Sequence, residues 1–367
     1  MVPKAPRKGL SRFEELTLVG GEELERALGW VAQRIDRFVH HKHLSRVDLS
    51  SWQEWLDFYA GGRWARGETF FEEPRSLPLV TEEPLFELPG GEVVDLSFES
   101  QYEPRFERAR EEFLSFAANR VFHGRMWWHK NSARATIVAL HGWTMDDARV
   151  TSLAFLPGVF YKLGLNMVIV DLPFHGRRSV KDSQGEKVIF PGPHIARTNE
   201  GIAQSIHDLR ILRRWLDAKG LKTVGCMGMS LGGYLSALWA SLEELAFAVL
   251  IVPVADLAAL AWEVVSMREE FEEILSRGIT EGDLERAFNI HCPLRHTPKL
   301  PINRRMIVAG LADHIVPARH PHLLWEHWGY PEIHWLSGGH LAHFKRSGAV
   351  QKISEFFARL GYTEGES

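Results

Sequence analysis

The chain has 367 residues, 45% of them apolar and 25% charged, and a formal net charge of −4. That length suits one large α/β domain with additions or two domains. The mild acidity gives no electrostatic basis for binding nucleic acid or an anionic membrane, and two cysteines exclude a disulfide framework and fit a reducing compartment. The opening segment MVPKAPRKGLSRFEEL has basic residues but no apolar core or cleavage-like site, so no signal peptide is read. The most apolar stretch, residues 246–262, is interrupted by Pro253 and Asp256 and falls short of a spanning helix. The expectation is a cytoplasmic protein without a transmembrane segment.

In chain order, residues 22–39 place Leu24, Leu28, Val31, Ile35 and Phe38 at helical spacing. A second helix is expected over residues 51–59, opened by a serine cap and stopped by Gly61 and Gly62. Pro74, Pro78, Pro84 and Pro89 then mark a linker in which regular structure is not expected. This makes residues 1–91 a helical N-terminal extension and linker, and residues 92–367 the main domain. There, strands are expected at 93–98 and 120–129, both able to pair antiparallel. Further strands are expected at 135–140, 166–170, 223–227, 246–252, 305–309 and 332–336. The central runs are almost continuously apolar, as parallel strands covered on both faces must be. Helical stretches at 153–162, 195–219, 231–242, 321–328 and 350–360 alternate with them, which points to a doubly wound α/β sheet. Residues 257–298, rich in helical pattern, interrupt that rhythm as an insertion.

Four segments carry chemistry. Gly228-Met229-Ser230-Leu231-Gly232 lies between a strand and a helix. A tight turn there exposes the serine hydroxyl at a helix N-terminus, and glycines on either side remove clashing Cβ atoms. Alone the pattern is common, and its bland reading is a loop packed on small residues. His141-Gly142-Trp143 ends the first parallel strand. An oxyanion hole needs two converging N–H groups. Leu231 would supply one, and Trp143 or its neighbour Thr144 the other. Asp313 follows an apolar strand and would orient a catalytic imidazole. Asp256, after the preceding strand, is its competitor. His340 follows Gly338-Gly339 after the last strand and would serve as general base and then acid, with His343 as the fallback. Ser230, Asp313 and His340 occur in the order Ser, Asp, His, each beyond an expected strand.

With HGW at 141–143, GMSLGG at 228–233, GLADHIVP at 310–317 and GGH at 338–340, the chain resembles the α/β-hydrolase superfamily over about residues 92–360. The resemblance implies an eight-stranded, mostly parallel sheet flanked by helices, with residues 257–298 as a helical lid. The segment DLPFHGRR at 171–178 and the helical extension resemble a narrower branch, the proteins called α/β-hydrolase domain-containing protein 18. Around the nucleophile the chain is also similar to dienelactone-hydrolase-like esterases. His141, His175 and Met229 are candidate substrate contacts. The expected activity is hydrolysis of a carboxylic ester or thioester, a small-molecule acyl substrate, with no cofactor. An amidase, peptidase or acyltransferase on the same triad, or a non-catalytic binding protein, stays open. No metal site is expected. His40, His41 and His43 lack convergent carboxylates, and His291, Cys292 and His296 make a poor zinc pattern.

Overall fold

A computed structural model describes residues 51–363 except 62, 63, 65, 66, 131, 132, 184, 268–270 and 337–347. The helix expected over residues 22–39, the histidines at 40, 41 and 43, and both His340 and His343 lie outside the described residues.

A nine-stranded sheet in the order β1-β2-β3-β5-β4-β6-β7-β8-β9 forms the centre of the molecule. β1 (Thr81–Leu88), β2 (Gly91–Glu99) and β3 (Val121–His129) are antiparallel neighbours, and β3 pairs antiparallel with β5 (Asn166–Val170). From β5 onward, β4 (Thr136–Leu140), β6 (Val224–Met229), β7 (Ala248–Ile251), β8 (Arg305–Gly310) and β9 (Glu332–Leu336) all pair parallel. The sheet therefore has one strand more than expected. β1 forms where the prolines predicted no regular structure. It is an edge strand, where a missing N–H can face away from the ladder, and the register shifts between Pro84 and Phe86.

Alternation along the buried strands assigns the two faces. Val138, Leu140, Val168, Val170, Leu250 and Ile307 point into one core layer with α1 (Trp52–Tyr59), α2 (Glu107–Ser115), α5 (Ile195–Ala218) and α6 (Leu231–Leu242). Ile137, Ala139, Met167, Ile169, Val249 and Val308 point into the other. That layer is closed by α3 (Ala148–Phe155), α4 (Pro157–Lys162) and α11 (Ala349–Arg359). One helix was expected over residues 153–162. Two are found, because Pro157 disfavours helical backbone at Leu156, which takes φ 48°. The insertion carries α7 (Leu257–Ser266), α8 (Phe271–Ser276) and α9 (Glu281–Phe288), followed by α10 (Arg319–His327) after β8. Ser51 precedes α1 without the expected side-chain cap, its backbone lying at φ −97°, ψ 4°. No helix among the described residues is long and apolar enough to cross a membrane.

Candidate active site

β6 ends at Met229 and α6 begins at Leu231, so Ser230 alone makes the reversal. Its backbone sits at φ 54°, ψ −112°. For a residue with a Cβ such a conformation costs on the order of 1–3 kcal/mol and persists only where its surroundings over-determine it. Here Ser230 N donates to Ile251 O at 2.9 Å, and Ser230 O accepts from Tyr234 N at 3.0 Å. The flanking glycines are sterically obligatory. A Cβ at Gly228 would stand 2.1 Å from Gly232 O, and one at Gly232 would stand 1.9 Å from Leu140 O. Leu231, as the first helical residue, has an N–H with no preceding turn to accept it.

The loop after β4 lies against this serine. A Cβ built on Gly142 would be 3.5 Å from Ser230 Cβ. His141 Nδ1 donates to Gly142 O at 2.8 Å, and Met145 N donates to the same oxygen at 3.3 Å. Thr144, at φ 61°, donates its N–H to His175 Nε2 at 3.3 Å. That N–H is thus engaged away from the serine, which leaves Trp143 as the candidate from this loop. The Trp143 indole donates to Pro191 O at 3.2 Å.

Neither His141 nor His175 has a ring nitrogen left for a ligand. His141 Nε2 accepts from Leu172 N at 3.2 Å. His175 Nδ1 donates to Pro173 O at 3.0 Å while its Nε2 holds Thr144. Burial lowers the pKa of His141, and it pushes that of His175 down to about 3, aided by the neighbouring His141. Burial thus favours the neutral ring in both, and each holds backbone groups of the two loops. Met229 is buried in the core, and its side chain packs in the same layer as Ile251 and Val308.

The two candidate acids differ in what they hold. Asp313, buried in the loop after β8, accepts Ile315 N and Val316 N at one oxygen, each at 2.9 Å. Asp256 caps α7 by accepting Ala259 N at 3.0 Å, and its own N–H donates to His320 Nδ1 at 3.4 Å. His320, on α10, is one that sequence reasoning did not single out. It is buried, its Nε2 has no hydrogen-bond partner, and burial pushes its pKa down to about 4. Nothing in the sequence distinguishes it among eighteen histidines.

A cavity of about 240 Å³ is walled largely by the insertion, with Tyr234, Asp256, Leu257, Phe288, Cys292 and Leu294 among its residues. Ser230 is not in its wall, but Val254 of the segment leading to Asp256 donates to Ser230 O at 3.4 Å. Tyr234 Oη and His291 Nδ1 share a hydrogen bond of 2.6 Å, and His291 Nε2 meets Asn199 Oδ1 at 2.8 Å. Burial pushes the Cys292 thiol up to about 12, which makes it a poor nucleophile. Among the described residues no group of three or more His, Cys, Asp or Glu could hold a metal ion.

No family model matches the chain. Two uncharacterized proteins of Mycobacterium tuberculosis, Rv2627c of strain H37Rv and MT2702 of strain CDC 1551, are 35% and 34% identical to it over 303 residues. The match covers 79% of this chain and 70% of each relative. Among solved structures, acetyl xylan esterase 1 from Thermoanaerobacterium sp. superposes with a TM-score of 0.57 at 17% identity, covering 89% of this chain and 98% of the esterase. The acetyl xylan esterase from Paenibacillus sp. R4 gives 0.56 at 15% identity, covering 84% and 98%. At those identities the likeness is one of fold. The strand order, the serine at the reversal between β6 and α6, and these superpositions give the chain the α/β-hydrolase fold, and by sequence it belongs to the same family as the mycobacterial protein Rv2627c.

Proposed function

We propose that the chain is a serine hydrolase that cleaves a carboxylic ester or thioester of a small molecule through an acyl-enzyme. The observation that carries this reading is the backbone of Ser230, held at φ 54° between β6 and α6 with Gly142 packed beside it. A strained serine at that place is retained for what its hydroxyl does. Ser230 Oγ attacks the carbonyl carbon, and His340 takes its proton, oriented by the Asp313 carboxylate. The N–H groups of Leu231 and Trp143 receive the oxyanion. His340 then protonates the leaving group, and water repeats the sequence on the acyl-enzyme. The chemistry calls for no cofactor. The cavity walled by α9 and by Tyr234, about one helical turn after Ser230 on α6, is where an acyl or alcohol group would be selected.

The two structural relatives are esterases of acetyl groups, so short-chain esters are the substrates to begin with. Ser230→Ala is expected to abolish hydrolysis of p-nitrophenyl acetate and labelling by a fluorophosphonate probe, with unchanged far-UV circular dichroism. Wild-type turnover in that variant would refute the assignment.

A further inference from the structure

The loops after β4 and β5 are joined by two histidines in opposite directions. His141, from the first loop, accepts Leu172 N of the second, and His175, from the second, accepts Thr144 N of the first. Each ring is fixed by its other nitrogen, because His141 Nδ1 donates to Gly142 O and His175 Nδ1 donates to Pro173 O. The rings meet edge to face with centroids 5.0 Å apart.

These bonds bracket the peptide units on both sides of Trp143. A peptide unit is planar and trans, so fixing its oxygen fixes its N–H on the opposite side. Gly142 O belongs to the unit that carries the Trp143 N–H, and His141 Nδ1–H and Met145 N–H both hold that oxygen. The next unit is fixed by Thr144 N–H on His175 Nε2, and this residue has a Cβ-branched side chain at φ 61°. A threonine at that angle needs an external anchor. The β5 loop is itself rigidly seated. Phe174 N donates to Asn119 Oδ1 at 3.0 Å, and Arg178 Nη2 reaches Asn119 O at 2.8 Å and Asp208 Oδ2 at 2.9 Å.

We infer that His141 and His175 form a reciprocal clasp that positions the Trp143 N–H as the second oxyanion donor, making both histidines positioning residues rather than substrate contacts. The inference rests on the serine-hydrolase reading of Ser230. It requires the same tautomer, Nδ1–H with Nε2 as acceptor, in both rings.

Asparagine places a donor near the Nδ1 position, and glutamine places an acceptor near the Nε2 position. At 175 the bond that matters is made by Nε2, and at 141 the bond to the Gly142–Trp143 unit is made by Nδ1. The two positions therefore respond in opposite senses. His175→Asn is expected to lower kcat for p-nitrophenyl acetate about 10²-fold with little change in KM, and His175→Gln to restore it to within about fivefold. At 141, Asn retains more kcat than Gln. A merely structural role would give the same response to both amides at each position, tracking thermal stability, and that result in folded variants overturns the clasp. In the unmutated protein, ¹⁵N imidazole shifts at neutral pH are expected to show both rings as Nδ1–H. An Nε2–H or imidazolium form of either ring overturns the clasp without any variant. A wild-type protein that neither hydrolyses esters nor takes the fluorophosphonate label refutes the hydrolase reading, and with it the positioning role.

Discussion

At the scale of single residues, Asp313 and Asp256 occupy similar places, each soon after a buried parallel strand, and differ in what they hold. Asp256 spends one oxygen on the first turn of α7, the work of an ordinary helix cap. Asp313 uses one oxygen to close its own loop on Ile315 and Val316. Asp313→Asn keeps an acceptor for those two N–H groups and removes the charge that an imidazolium needs. It is expected to lower kcat by about 10⁴-fold with the melting temperature nearly unchanged. Asp256→Ala is expected to cost about 1 kcal/mol of stability through the lost cap and to leave kcat within about tenfold of wild type. Ester kinetics and thermal melts on both variants decide between the acids, and a larger kcat loss at Asp256 would reverse the assignment.

At the scale of elements, the N-terminal helix α1 is tied to the long helix α5 through a buried carboxylate. Glu200 accepts Tyr59 Oη–H at 2.7 Å, Tyr102 Oη–H at 2.5 Å, and the N–H groups of Arg105 and Phe106 at 2.8 and 3.1 Å. Burial raises the pKa of that carboxyl while the four donors pull the other way. α1 also packs against α9 of the insertion. A helix before the first strand therefore contacts the insertion whose residues line the cavity. Tyr59→Phe leaves a fully buried carboxylate one donor short, and its expected cost is about 1.5–3 kcal/mol. Amide exchange should then quicken in α1 and, through their contact, in α9. Unchanged protection of α9 would show that the insertion does not depend on this docking.

At the scale of the whole molecule, several histidines are buried in the neutral state, and this sets the acid limit of stability. Burial holds His175 and His291 at about 3 and His320 at about 4. As pH falls below the unfolded value of about 6.5, the unfolded chain takes up protons that these rings refuse, so stability falls with pH. The contribution is complete above about 6.5 and is lost progressively toward the folded values. At pH 5.5 the loss is on the order of 1 kcal/mol for each of His175 and His291. Glu200 acts in the opposite sense. Its raised carboxyl pKa favours the folded state as pH falls through that raised value toward the ordinary carboxylate value. Urea midpoints at pH 7.5 and 5.5 are expected to fall, and a midpoint independent of pH in that window would contradict the buried neutral rings.

The sequence alone determined the layered α/β plan, because parallel strands covered on both faces must read as apolar runs and β4 to β8 largely do. It also determined the place of Ser230, since only glycine at 228 and 232 fits a backbone that reverses so closely against Leu140 and Ser236. The edge strand β1 was hidden because its pairing with β2 is made by backbone that prolines obscure locally, and pairing partners are not a local property. The hydrogen-bond partners of His141 and His175 were decided only by tertiary structure. Each histidine finds its partner on the other loop, about thirty residues away, and no spacing within either loop records that meeting. Ser230 is placed by sterics within a few residues, whereas the loop beside it is held by hydrogen bonds between segments that only the folded sheet brings together.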